Sequence, residues 1–266
     1  MPDEQSDGLV PFETDTPHAA RIWNYWMGGK DNYAADRAAG DAVATVYPQI
    51  ATMAVESRRF LIRVVRHLAG AAGIRQFLDI GTGLPIMQNT HEVAQRVAPD
   101  ARIVYVDNDP MVLAHARALL VNTTPAGVTT YVPADYHEPQ RIVAEAATVL
   151  DLNAPVAVLF MGVLGYEPDL AVVRSIISTI MDAVPSGSHL ALWDGTATGS
   201  AVVEGGQKLI ESGGEPYVLR SPEQLAECFT GLRMVEPGLC PVTSWRPEPG
   251  SAAVSVDAYG GVALKP

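Results

Sequence analysis

Two kinds of hydrophobic pattern divide the chain. From His18 to Gly73 the apolar residues recur at helical spacing. Ala19, Ile22, Trp23, Trp26 and Met27 fall at i, i+3, i+4, i+7 and i+8, which makes one apolar face and leaves Arg21, Asn24, Tyr25 and Gly28 opposite it. A second helix is expected from a cap at Asp31 to Val46, where Tyr47-Pro48 ends it. A third is expected from about Gln49 to Leu68, with Met53, Ala54, Leu61, Val64, Val65 and Leu68 inward. Its Arg58, Arg59, Arg63 and Arg66 form a basic stripe. A solvated helix face explains the stripe; a phosphate or nucleic-acid footprint is the other option.

After Gly73 the pattern changes to short apolar runs. "QFLDIG", "RIVYVD", "TTYVPAD", "VAVLFM" and "HLALWD" predict strands, because continuous Val/Ile/Leu runs suit parallel strands covered on both faces. Helical stretches near residues 87–98, 110–120, 138–149 and 169–183 lie between them. Alternating strand and helix predicts an α/β fold with a parallel, doubly wound sheet. In the tail, "LRMVEPG" and "SAAVSVDAYGGVAL" flank a Pro-rich loop with no expected helix, which suggests an antiparallel pair at one sheet edge. The expected organisation is a disordered leader over 1–17, a helical cap or lid over 18–73 and an α/β domain over 74–266.

Charge narrows the partners. Eighteen bases against thirty acids give a net charge of −12, a surface that repels nucleic acids and anionic membranes. The leader "MPDEQSDGLVPFETDTP" lacks the apolar core of a signal peptide, and the run "APVAVLFMGVLGY" is too short to span a bilayer. Cys228 and Cys240 are too few for a disulfide framework or a zinc site, so two free thiols in a cytoplasmic protein are expected.

The candidate chemistry sits at the strand tips. The first strand runs into Asp79-Ile80-Gly81-Thr82-Gly83-Leu84-Pro85, glycines where a ligand approaches backbone amides in an open α/β sheet. Ile86 stands where the dinucleotide fingerprint requires a third glycine. Asp79 repels a pyrophosphate and attracts an ammonium. The second strand ends in Asp107-Asn108, suited to ribose hydroxyls, and the third is followed by Asp135-Tyr136, suited to an exocyclic amine. Alone, each acid reads as a cap or turn residue; three in register describe a ligand with an amine, a ribose and an adenine.

"FLDIGTGLP", "VYVDNDPMVLAHARALL" and "ADYHEP" resemble the binding segments of the class I S-adenosylmethionine-dependent methyltransferases. More narrowly, "PHAARIWNYWMGGKDNYAADR", "GLPIMQNTHEVAQ" and "YVDNDPMVLAHA" resemble an actinobacterial methyltransferase-like family long carried as a domain of unknown function. The resemblance covers roughly His18 to Leu264. It implies a Rossmann-like, seven-stranded, mostly parallel sheet with an antiparallel C-terminal hairpin, and S-adenosylmethionine as cofactor. It places Asp79, Gly81, Thr82 and Gly83 at the methionine moiety, Asp107 and Asn108 at the ribose, Asp135 and Tyr136 at the adenine, and Phe160 and Met161 near the sulfonium. The Asn/Asp-Pro-Pro-Tyr motif of many nucleic-acid amino-methyltransferases is absent, in keeping with the charge.

A cofactor on a sheet rim needs a cover that excludes water. The stretch "RIWNYWMGGKDNYAAD" is the candidate lid: Trp23 and Trp26 pack it down, Arg21, Asn24, Tyr25 and Tyr33 face the site, and Gly28-Gly29 acts as a hinge. The plainer alternative is a surface helix pair with core aromatics. Tyr25, His91 and Tyr166 are weak catalytic candidates; a locally bonded helix histidine and a packed loop tyrosine are the competing readings of the last two. His137 is expected to face solvent, Trp193-Asp194 to form a wall or pack at a strand end, and Trp245-Arg246 to be structural. There is no metal-ligand cluster in the sequence and no clear general base. The expectation is a methyltransferase acting on a small neutral or cationic molecule. A catalytically degenerate S-adenosylmethionine-binding module is the alternative, and Asp79 and Ile86 disfavour a nucleotide-dependent oxidoreductase.

Overall fold

The computed structural model describes residues 13–119, 121–250 and 254–266, so residues 1–12 of the expected leader lie outside the described residues. Five parallel strands, β1 (Gln76–Ile80), β2 (Arg102–Asp107), β3 (Val128–Pro133), β4 (Ala157–Met161) and β5 (His189–Gly195), pair in the order β3-β2-β1-β4-β5. The chain therefore leaves β1 in one direction and returns to β4 on the other side. That reversal opens a crevice at the carboxyl ends of the strands. Among the described residues the sheet has eight strands, where seven were expected. Two two-residue strands, β6 (Arg233–Met234) and β7 (Cys240–Pro241), both pair with β8 (Ala258–Leu264). β8 lies antiparallel between β5 and β6, so the long tail strand is internal and the short one takes the edge. The Pro-rich loop also carries a 3-10 turn at Val242–Ser244.

Side chains alternate strictly across the sheet. Phe77, Ile103, Tyr105, Leu159, Ala191 and Trp193 join one apolar cluster; Leu78, Val104, Phe160, Leu190 and Leu192 join the other. The first cluster is completed by α1 (Ala19–Trp26), α2 (Ala34–Val46), α3 (Ile50–Gly70), α4 (Thr90–Val97) and α8 (Ser200–Glu211). The second is covered by α6 (Pro139–Ala146), α7 (Leu170–Asp182) and α9 (Pro222–Glu227), while α5 (Pro110–Leu119) follows β2. The N-terminal helices thus share the sheet's core and have none of their own. Leu61, Val64, Val65 and Leu68 of α3 are all at most 2 % exposed against that face.

Two local departures have clear causes. α2 starts after Tyr33, not after Asp31, because the Asp36 carboxylate accepts the backbone N–H of Tyr33 (2.8 Å) and of His18 (2.9 Å). α8 was not apparent in the sequence because Gly205 and Gly206 weaken its helical pattern. Gly205 suits the packing: a Cβ there would sit 3.2 Å from Tyr47 and 3.3 Å from Val43, tight contacts where α8 meets α2.

Candidate functional site

A cavity of about 430 Å³ opens at the carboxyl ends of β1 to β4, within the size range of small-molecule sites. Its floor is the loop after β1. Gly81 and Gly83 have φ values of 73° and 64°, and a Cβ on Gly81 would lie 2.4 Å from Val163 Cγ2. Only glycine gives that loop both its left-handed turn and its contact with the β4 loop.

The three tip acids converge on this cavity but differ in what remains free. Asp79 is 3 % exposed, and its Oδ2 accepts from Thr90 Oγ1 at 2.6 Å. Burial pushes its carboxyl up to about 6, a rise that Thr90 and Arg58 partly offset. Asp107 accepts the backbone N–H of Gly83 on Oδ2 (2.8 Å) and of Asp109 on Oδ1 (3.1 Å), and burial again raises its pKa. A carboxylate has about four lone-pair sites, so two remain for a ligand. Asp135 accepts from Asn108 Nδ2 (2.8 Å) and from the His137 backbone (2.9 Å) and lies beside Tyr136 on the cavity wall. Asn108 therefore positions Asp135. His137 does not simply face solvent. It is clasped by Asp135 (2.7 Å) and Glu167 (2.8 Å); burial opposes its proton, but these two acids outweigh it and raise its pKa.

α1 roofs the cavity with the face the sequence assigns to packing. Ala19, Ala20, Trp23 and Met27 line it, while Ile22 and Trp26 go to the core. His18 at the start of α1 meets Asp109 at 3.3 Å, and Trp23 Nε1 donates to Tyr166 Oη at 3.3 Å. The roof is tied to the β2 tip at one end and to the β4 loop at the other.

The expected lid face is displaced from the cavity. Arg21 is buried against Asp36 (2.8 Å), donates to the carbonyls of Glu13 and Thr16 and lies over the Tyr33 ring. Arg21 thereby reaches the carbonyls of Glu13 and Thr16, at the end of the expected leader. Asn24, 1 % exposed, accepts from Asp31 N (3.0 Å) and Asn32 Nδ2 (3.1 Å), and Gly29 presses on it so closely that a Cβ would fall 2.4 Å away. The Gly28-Gly29 pair closes a clamped turn, so it is no free hinge. Tyr25 bonds outward to Asp41 (2.6 Å). Arg21, Asn24, Tyr25 and Tyr33 do not line the cavity.

Other positions separate for similar reasons. Phe160 is fully buried on the opposite sheet face, because adjacent strand residues point opposite ways and Met161 takes the cavity side. His91 faces the core, its Nδ1 2.9 Å from Tyr105 Oη. Tyr166 does line the cavity, as does Trp193; Asp194 is buried behind them, accepting from Tyr217 Oη at 2.7 Å, and burial pushes its pKa up to about 7. Trp245 is fully buried against Phe60, in line with a structural role. Cys228 and Cys240 are free. Among the described residues no three His, Cys, Asp or Glu side chains group to hold a metal, and no helix is long and apolar enough to cross a membrane.

Sequence reasoning missed Arg58, Trp23 and Glu215 as lining residues. Arg58 was detectable: it precedes Leu61 by three positions and Val65 by seven, which puts it on the inward stripe of α3 and apart from Arg59, Arg63 and Arg66. Glu215 comes from a loop whose course no local pattern specifies.

Comparison with known proteins agrees with this geometry. The model of the S-adenosyl methyltransferase family matches residues 6–266. A DUF574 family protein from Streptomyces avermitilis is 41% identical, with a TM-score of 0.91 over 95% of this chain and 99% of its own. A candidate methyltransferase from Thermobifida fusca is 39% identical, with a TM-score of 0.87 over 95% of this chain and 96% of its own. The mitomycin 7-O-methyltransferase MmcR, 17% identical with a TM-score of 0.52 over 92% of this chain and 67% of its own, shares the fold alone. No curated protein matches the chain.

Proposed function

Since the chain belongs to the S-adenosyl methyltransferase family and is an S-adenosylmethionine-dependent methyltransferase, we propose that its acceptor is a small neutral or cationic molecule held beneath α1. The carrying observation is the cavity's lining. Among the described residues, Asp79, Asp107, Asp109, Asp135 and Glu215 face it against one permanent cation, Arg58, and Trp23, Tyr136, Tyr166 and Trp193 supply aromatic surface. Such a lining attracts cations to carboxylates and ring faces and, away from Arg58, disfavours anionic groups.

The cavity residues suit the cofactor. In this reading Asp79 takes the ammonium, the loop at Gly81, Thr82 and Gly83 admits the methionine chain, Asp107 accepts the ribose hydroxyls, and Asp135 with Tyr136 frames the adenine. Bound, S-adenosylmethionine supplies an electrophilic methyl group on a sulfonium. Met161, Trp23 and Tyr166 exclude water from that end of the cavity and align the acceptor for in-line attack. Among the described lining residues, His137 has both ring nitrogens engaged by carboxylates, and His18 meets Asp109 through Nδ1. The test is a methyl-transfer screen with radiolabelled S-adenosylmethionine across amines, phenols, sugar phosphates, dicarboxylates and nucleic acids. Labelling confined to neutral or cationic acceptors is expected. Labelling of nucleic acid or a sugar phosphate would overturn the proposal.

A further inference from the structure

Arg58 is the anomaly of the basic stripe. Arg59 pairs with Glu56 at 2.6 Å, Arg63 donates to the carbonyls of Val242 and Trp245, and Arg66 pairs with Glu248. Arg58 instead turns into the cavity floor, where its Nη2 donates to the neutral Asn89 Oδ1 at 2.9 Å. Its Nε is shut off from solvent with no partner, and no carboxylate among the described residues comes within ion-pairing distance. Asp79 lines the same floor and acts on Arg58 electrostatically, yet its own hydrogen bond goes to Thr90. A cation and a carboxylate thus stand near each other in a largely buried corner of the cavity without pairing. Each charge is costly there unless something compensates it.

A ligand group that compensates both must carry both signs. A phosphate would satisfy Arg58 and be repelled by Asp79; a simple amine would satisfy Asp79 and leave Arg58 unpaired. An α-amino acid end presents a carboxylate and an ammonium on one carbon. We propose that Arg58 binds the carboxylate of the cofactor's amino-acid end while Asp79 binds its ammonium, an assignment that rests on the cavity being the S-adenosylmethionine site. Helix α3 then reads the ligand directly, and the N-terminal helices contribute to cofactor selection as well as to the roof.

The test compares two ligands that differ only in that carboxylate. Calorimetry on the full chain would measure S-adenosylmethionine and its decarboxylated form against the wild type and against Arg58→Met, which keeps the apolar stem and loses the charge. The wild type should prefer the intact cofactor by at least about tenfold, the lower end of what a hydrogen bond to a charged partner contributes. Arg58→Met should bring the two affinities together by weakening the intact cofactor alone. Arg58→Lys, the variant to rely on if Arg58→Met fails to fold, should give an intermediate ratio, since a point charge replaces a fork of donors. An unchanged ratio in either variant, or equal weakening of both ligands, would overturn the assignment. Failure of both ligands to bind the wild type would instead sink the cofactor reading beneath it.

Discussion

Asp79 shows what a single residue contributes and what it costs. Its folded-state pKa of about 6 lies above the ordinary carboxylate value of 3.8, so the folded protein retains a proton the unfolded chain would release. Stability from this group is present at low pH and declines as pH rises through that window. Ligand affinity has the opposite sign, because only the ionised carboxylate attracts an ammonium. Binding of S-adenosylhomocysteine, which keeps that ammonium, is therefore expected to strengthen from about pH 5 to about pH 7, and Asp79→Asn to flatten the profile. A wild-type profile as flat as the variant's would contradict the role. The position of Asp79 was legible because an acid ending a buried strand and followed by glycines has few other uses. Its hydrogen bond to Thr90, eleven residues on, was not, since it depends on how α4 meets β1.

At the scale of the element, α1 is the informative case. Its periodicity was plain, but one apolar stripe serves two purposes: Ile22 and Trp26 fill the core, and Trp23 and Met27 roof the cavity. Hydrophobic pattern alone cannot separate a face packed on protein from a face packed on ligand. The polar face misled for the converse reason, because Arg21 and Asn24 of α1 are buried against α2 and the turn that leads to it. This division predicts different outcomes for neighbouring substitutions. Trp23→Ala should weaken cofactor binding and reduce the hydrogen-exchange protection that residues 19–27 gain on adding ligand. Asn24→Ala should lower stability by about 1–3 kcal/mol, because it removes a buried acceptor and leaves two half-buried donors without it, while ligand affinity holds. The reverse pattern would return the polar face to the site.

For the whole molecule, fold class and the five parallel strands were legible because covered parallel strands read as apolar runs and the connecting helices as amphipathic ones. The short strand β7, two residues long, and α8, with its paired glycines, were not, since both exist through tertiary contacts. Topology then accounts for the site: the reversal between β1 and β4 brings the tips of β1, β2 and β3 to one cavity, although Asp79 and Asp135 are far apart in sequence. That convergence is the central claim, and titration calorimetry with S-adenosylhomocysteine tests it most directly. One molecule should bind per chain, NAD should give no heat, and Asp107→Ala should weaken binding by about 1.5–3 kcal/mol, the contribution of hydrogen bonds to a charged acceptor. Tight binding of NAD, or an Asp107→Ala variant that binds S-adenosylhomocysteine as the wild type does, would contradict it.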